Sequence, residues 1–306
     1  MPLPTACVIH LVRAANGAAP FLRFARRYQD RAPGIEHGLV LVLKGFSNPA
    51  AFHRWQAVAN LNAHCLYLPD EGCDLATYRA AAAALSCDVC VFLNSFSAPL
   101  AADWLRHLAQ PLLEDSHVGV VGATGSYESL RTPLSAIPLS RRYRFLSSLR
   151  RWLYRRRVKQ LWKPFPPFPN PHLRTNGFAI RRRDWLDLSP RFLADKWSGW
   201  RLESGRCSMT RQMLRRDLQV LVVDRNGKTY QPADWWHSRT FRAGNQSHLL
   251  IADNQTRQFA TATGGQRAAL TEMTWGRDVA QQELESASGE RPPARTARPS
   301  GVGVLA

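Results

Sequence analysis

Hydrophobic and polar positions along the chain alternate between short unbroken apolar runs and longer stretches with helical spacing. Cys7–Val12 is the first apolar run and predicts a buried strand, and Ala18–Tyr28 follows with helical spacing and Pro20 near its start. His37–Phe46 predicts a second strand closed by Gly45, and Asn48-Pro49 is a helix-start signal for Ala51–Leu61. His64–Leu68 reads as a third strand, Pro69–Asp74 as a turn, Leu75–Leu85 as an Ala-rich helix and Val89–Leu93 as a fourth strand. Strands alternating with helices of this length predict an α/β fold with a doubly wound, mostly parallel sheet flanked by helices.

In Val89–Pro99 the apolar run breaks into small polar residues. This is the pattern of a buried parallel strand ending at a loop that faces a ligand. Ligands of open α/β sheets bind beyond the carboxyl ends of strands, so Asn94, Ser95 and Ser97 are placed on the floor of such a crevice. Pro99–Leu113 predicts a helix, His117–Gly122 a strand and Gly122–Ser129 a flexible loop. The Gly-Ala-Thr-Gly of that loop lacks the third Gly of a dinucleotide turn and the Lys-Ser/Thr of a P-loop, which excludes both.

Lys163–Pro171, with five prolines, predicts an ordered crossing segment or a lid. His172–Arg183 gives a strand at Phe178–Ile180, and Asp184-Trp185 caps a short helix. Trp197–Gly205 is then expected as a loop, Ser204–Arg216 as a helix, Leu218–Val223 as a strand and Arg225–Lys228 as a hairpin turn needing positive φ. Trp235–Ser238 and Asn245–Phe259 close the folded part, residues 1–260. From about Thr261 the chain becomes rich in Ala, Gly, Ser and Thr, so 261–306 is expected as a disordered tail.

The length of 306 residues, 45% hydrophobic, allows one large α/β domain or two small ones. Charge adds more. The formal net charge is +18, and between Ser129 and Arg183 there are 15 Arg and Lys residues and no Asp or Glu. Such a field attracts phosphates on a nucleotide, a nucleic acid or an anionic membrane. Within it, 141–163 has an apolar stripe at helical intervals with interfacial Trp. That pattern fits either a basic amphipathic helix on a membrane surface or a helix packed on the domain with its charges solvated. No nucleic-acid motif accompanies it, which leaves a nucleic-acid partner resting on charge alone. No apolar run reaches the roughly 18–20 residues of a bilayer-spanning helix. The expected location is therefore cytoplasmic, with contact at the inner face of the plasma membrane through 141–163. Six cysteines form no framework; Cys87-Asp-Val-Cys90 has the spacing of a redox or zinc pair, against the alternative of buried thiols in a reducing compartment.

Four blocks taken together resemble one family: Asp74–Tyr78; Val91-Phe-Leu-Asn-Ser followed by Asp103-Trp-Leu; Val121-Gly-Ala-Thr-Gly-Ser; and Pro169-Asn-Pro-His-Leu-Arg-Thr-Asn-Gly-Phe-Ala-Ile-Arg-Arg. Over about residues 5–260 the chain resembles GT-A fold glycosyltransferases of bacterial surface-polysaccharide (lipopolysaccharide-type) assembly, similar to the large family 2 group. The resemblance implies a hexosyltransferase that moves a sugar from a nucleoside-diphosphate donor to a glycan or lipid-linked acceptor, with inversion. It also implies a divalent cation, Mg2+ or Mn2+, held by an Asp-x-Asp motif at the end of a hydrophobic strand. Here Asn94-Ser95-Phe96-Ser97 stands in that place, and neutral amide and hydroxyl groups are poor ligands for a hard cation. The ligands at hand are Asn94 and His237; otherwise cationic side chains do the metal's work. A catalytically impaired nucleotide- or glycan-binding protein of the same fold is the alternative reading.

By the same resemblance, Asp74 holds base or ribose hydroxyls, against the alternative of a helix N-cap. Arg174, with Asn176 in the polar run before a strand, is the candidate phosphate clamp, against a surface salt bridge. Glu203 stands where the inverting members place the carboxylate that takes the acceptor's proton, against a purely favourable charge at a helix N-terminus. Asp195 and Asp234 are its substitutes. Trp197, Trp200, Trp235 and Trp236 are either stacking walls for a sugar or core.

Overall fold

The computed structural model describes residues 5–131 and 162–288. Its strands, in chain order, are β1 (Ala6–Arg13), β2 (Gly38–Lys44), β3 (His64–Leu68), β4 (Val89–Leu93), β5 (Ala98–Pro99), β6 (Val118–Gly122), β7 (Gly125–Ser126), β8 (His172–Leu173), β9 (Gly177–Arg181), β10 (Gln219–Val223), β11 (Thr229–Tyr230) and β12 (Ile251–Ala252). Eight of them form one sheet in the order β11-β10-β6-β9-β4-β1-β2-β3. β3, β2, β1 and β4 run parallel, as do β6 and β10. β9 is wedged antiparallel between β4 and β6, and β11 forms an antiparallel hairpin with β10. The fold is α/β, with a large, mostly parallel sheet flanked by helices.

The continuous apolar runs are explained by burial on both faces of the sheet. On one face Val8, Leu41 and Val91 pack with Phe24, Phe52, Trp104 and Leu108 from the helices Ala18–Asp30, Pro49–Ala59 and Trp104–Glu114. On the other, Ile9, Val42 and Phe92 pack with Tyr78, Trp185, Leu202 and Met213 from the helices Asp74–Ala84, Arg182–Asp187, Lys196–Ser204 and Met209–Leu214. Asn48 starts its helix as expected, its side chain accepting from the Ala50 amide at 2.8 Å.

Three expectations are corrected. The loop after β6 is not flexible: Gly125 and Ser126 pair with Leu173 and His172, and both are buried. A Cβ on Gly125 would lie 2.5 Å from Cε3 of Trp235, so the glycine is required for close approach to that ring. The segment 196–204 is a helix rather than a loop, started by a capping box between Asp195 and Ser198, and the next helix covers only Met209–Leu214. The chain after Thr261 is not disordered through 288. A capping box at Thr263 and Gln266 starts the helix Gly264–Trp275, and Arg277–Ser288 is a further helix. Trp275, Val279 and Ala280 supply the buried contacts that the bland composition concealed. The basic segment 141–163 lies outside the described residues except for Trp162 and Lys163, as do 289–306. No helix among the described residues is long and apolar enough to cross a membrane.

Candidate functional site

The carboxyl ends of β4 and β6 meet the amino end of β9, because β9 pairs antiparallel with both. Asn94 follows β4, and its amide donates to the Asn176 carbonyl at 3.4 Å. The Asn94 Oδ1 accepts from the Phe96 amide and the Ser97 hydroxyl, both at 2.9 Å, which folds Asn94–Ser97 into a tight Asx turn. The Ser97 hydroxyl also reaches the Asn176 carbonyl. From the β6 side, the Thr124 hydroxyl donates to Asn176 Oδ1 at 2.6 Å. The Asn176 Nδ2 is buried without a partner among the described residues. Ser95 is 6% exposed and Ser97 fully buried, so only Asn94 and Phe96 of this loop are partly open to a ligand.

Glu203 is brought to the same segment. Its Oε1 accepts from the amide of Thr175 at 2.9 Å and from the Thr175 hydroxyl at 3.0 Å. The residue lies in the last turn of the helix Lys196–Ser204, not at a helix start. A carboxylate there faces the negative end of the helix dipole, so a favourable dipole does not account for its position. His172 and Tyr78 stand close by. Burial, outweighing the nearby Glu203 charge, lowers the His172 pKa, so this ring is neutral at ordinary pH. Burial, with the charges of Asp74 and Glu203, pushes the Tyr78 phenol well up, and its hydroxyl has no partner among the described residues.

Arg174 is buried, and its Nη2 lies 2.6 Å from Oδ2 of Asp253, a residue only 1% exposed. Its Nη1 donates to the Thr124 hydroxyl at 3.3 Å, and the guanidinium stacks 3.9 Å from the centre of the Phe241 ring. The guanidinium thus belongs to a buried internal pair rather than a surface salt bridge, and a phosphate clamp there would compete with Asp253 for it. Asp253 in turn caps the helix Asn254–Thr261 through a box with Thr256. Arg242 stacks on the same ring at 4.7 Å and reaches Glu128 at 3.6 Å.

Asp74 is exposed in the first turn of its helix, with Cys73 at the N-cap position, so it is not a cap and its carboxylate is free for a ligand. Lys44, at the end of β2, is fully buried; its Nζ donates to the Gly72 carbonyl at 3.0 Å and has no carboxylate in ion-pair range among the described residues. Beside it, Gly45, Phe46, Ser47, Tyr67, Leu68 and Pro69 line an open cleft of about 420 Å³ at the carboxyl ends of β2 and β3.

The aromatic residues divide. Trp235 is core, fully buried with Nε1 donating to the Tyr230 carbonyl at 3.1 Å, which corrects its reading as a sugar platform. Trp200 is partly exposed, 6.2 Å from Trp197, which packs against Trp162 and Phe165; Lys196 lies over Trp200. The Trp236 and His237 rings lie 3.6 Å apart, centre to centre, and tilted by 33°, and His237 pairs with Asp234 at 3.5 Å. Asp195 is spent on capping its helix, where the Ser198 amide holds its carboxyl below the usual range.

A divalent cation does not fit the donor set that converges here. The carbonyl oxygen of Asn94 is already committed to Phe96 and Ser97, and His237 faces Asp234. Among the described residues no three His, Cys, Asp or Glu side chains form a group suited to a metal. Cys87 and Cys90 lie 3.7 Å apart as free thiols.

Sequence reasoning missed Thr175, which tethers Glu203, Asp253, which neutralises Arg174, and Lys44. Asp253 carries a local signal, the capping-box pattern Asp-x-x-Thr before a helix, and Lys44 is a charge ending an apolar run. No family model matches the chain, and no curated protein matches it. Among solved structures, the chain is similar to the mannosyltransferase PcManGT from Pyrobaculum calidifontis in complex with GDP-Man and Mn2+, at 13% identity and a TM-score of 0.44, over 95% of this chain and 77% of that one. It is also similar to glucosyl-3-phosphoglycerate synthase from Mycobacterium tuberculosis in complex with Mn2+ and UDP, at 14% identity and a TM-score of 0.35. That match covers 59% of this chain, which spans 57% of the length of the synthase.

Proposed function

We propose that this protein is an inverting glycosyltransferase, moving a sugar from a nucleoside-diphosphate donor to a glycan or lipid-linked acceptor of surface-polysaccharide assembly, at the inner face of the membrane. One observation carries the reading. The Asn94 turn and the Glu203 carboxylate, distant in sequence, are both hydrogen-bonded to the adjacent residues Thr175 and Asn176 at the carboxyl-end crevice of the sheet. The donor's nucleotide lies toward β2 and β3, where the cleft beside Phe46 and Tyr67 admits a flat base and Asp74 accepts from hydroxyls.

Both bonds from Thr175 fall on Oε1 of Glu203, and Oε2 accepts none among the described residues. Glu203 takes the acceptor hydroxyl's proton on this oxygen. The hydroxyl oxygen bonds to the anomeric carbon as the bond from that carbon to the diphosphate breaks, and the nucleoside diphosphate departs. Thr175 fixes the carboxylate's orientation, and partly exposed Trp200 offers an apolar face to the acceptor.

The test is turnover of a panel of nucleotide sugars, read as release of nucleoside diphosphate, with donor affinity by calorimetry, each with and without Mn2+. Glu203→Gln is expected to lower turnover about 10²–10⁴-fold with the donor Kd unchanged. Full activity in that variant removes the base assignment. A second reading, a binding protein that has lost catalysis, is favoured by the replaced acidic motif, and saturable donor binding without release or transfer would establish it.

A further inference from the structure

Three arginines lie close together just beyond the helix end that carries Glu203, and among the described residues no carboxylate pairs with them. Arg206 is held at its backbone, where its amide donates to the Pro164 carbonyl at 2.8 Å, and its Nε donates to the Lys163 carbonyl at 3.1 Å. Arg215 reaches back so that its Nη2 lies 3.1 Å from the Arg206 carbonyl. Arg211, partly buried on the helix Met209–Leu214, donates through Nη2 to Oδ1 of Asn170 at 3.3 Å, while its Nε is buried with no partner among the described residues.

None of the three takes part in an ion pair among the described residues, whereas their neighbour Arg216 approaches Asp184 at 4.0 Å. Every hydrogen bond they make goes to a neutral oxygen. Burial, and then the Arg215 and Arg206 charges, hold the Arg211 pKa below the ordinary guanidinium value. Fixed like charges are held together at a cost that a bound anion removes.

We propose that Arg206, Arg211 and Arg215 form an anion site that takes the phosphate group of the acceptor. Arg206 and Arg215 are exposed beside the partly buried Arg211, and a cluster of three cations favours a dianion over a single carboxylate, with guanidinium forks that match the oxygens of a phosphate. Asn170 ties the site to the base. Its Oδ1 accepts from Arg211, and its Nδ2 donates to the carbonyl of Ser204, next to Glu203, at 2.7 Å. That the phosphate belongs to an acceptor rests on the glycosyltransferase reading; that the three arginines bind phosphate does not.

The experiment is calorimetric titration of the full chain with inorganic phosphate, comparing the wild type with the Arg206→Gln/Arg215→Gln double variant and with Arg211→Gln. The nucleotide-sugar titration runs beside it, and thermal midpoints confirm that each variant folds. Saturable phosphate binding is expected in the wild type, weakened at least about tenfold in the double variant, about 1.4 kcal/mol, with donor affinity unchanged. Vesicles of phosphatidylcholine with and without phosphatidic acid distinguish the sources. Binding to the phosphatidic acid vesicles that phosphate displaces and the double variant loses assigns a lipid headgroup; no vesicle binding with phosphate binding intact assigns a soluble phosphate. Absence of phosphate binding, or binding that folded variants retain in full, overturns the proposal. Phosphate binding that depends on the arginines in a chain that binds no nucleotide sugar keeps the site and removes only the donor reading.

Discussion

The buried pair of Arg174 and Asp253 decides whether this arginine is a strut or a ligand, and Asp253→Asn separates the two. At 2.6 Å, and with side chains only 9% and 1% exposed, the attraction is about 6 kcal/mol at an effective dielectric near 20. Desolvation of the two ions offsets most of it, so the pair itself adds little. Breaking it, however, leaves a buried guanidinium unpaired, which costs about 3–5 kcal/mol. Asparagine keeps the Oδ1 that accepts from the Thr256 amide at 2.8 Å, so the helix cap survives and the loss reports the charge alone. At roughly 2 °C per kcal/mol, the thermal midpoint is expected to fall by about 6–10 °C.

The pH dependence gives a second signature. Burial alone would raise the Asp253 carboxyl, but the Arg174 charge and the Thr256 hydrogen bonds together outweigh it and hold the folded-state pKa below the ordinary value. The stabilisation is therefore complete above the unfolded carboxylate's pKa and is lost as pH falls through the depressed folded value, so wild type and variant converge in acid. Urea unfolding across that range measures it. Adding Arg174→Met to the variant removes the orphaned charge and is expected to restore most of the loss. A loss under about 1 kcal/mol in Asp253→Asn, with weaker donor binding in Arg174→Met, would refute this reasoning and return the arginine to the phosphate.

Further outcomes follow from other residues. Burial pushes the His10 imidazole, stacked on Phe24 with both nitrogens unpartnered among the described residues, down to about 3. Its folded pKa is depressed, so its effect on stability is absent above about pH 6.5 and grows as pH falls toward the folded value; His10→Leu is expected to flatten that part of the stability profile, seen by urea unfolding at stepped pH. Lys44→Met, which removes a buried ammonium with one carbonyl partner, is expected to raise the thermal midpoint while lowering nucleotide-sugar affinity in calorimetry. Gly125→Ala drives a methyl into the Trp235 ring and is expected to cost about 1–3 kcal/mol in urea unfolding.

The parallel half of the sheet was legible because a strand buried on both faces writes itself as an unbroken apolar run, as in β1, β2 and β4. The helix bearing Glu203 was not, because its buried positions are Gly199, Leu202 and Ser204, only one of them a large apolar residue. The Asp195 and Ser198 capping box was its one local sign. The segment after Thr261 hid for a similar reason, with two of the three buried residues of Gly264–Trp275 being threonines. Within the site, the position of Asn94 followed from the end of β4, but the tether from Thr175 to Glu203 and the pairing of Arg174 with Asp253 join residues far apart in sequence. Such contacts exist only once the sheet has closed, and no window of sequence displays them.

The ribbon of β7 and β8 has one more implication. β7 and β8 form a two-stranded sheet of their own, and the chain just beyond it on either side is laced by the Asn170 amide donating to the Tyr127 carbonyl at 2.9 Å and by the Ser129 hydroxyl donating to the Pro166 carbonyl. Ribbon and base share one residue: the Asn170 amide holds Tyr127 while its side chain holds the Ser204 carbonyl, so a displacement of either foot is transmitted to the helix end beside Glu203 while the eight strands keep their partners.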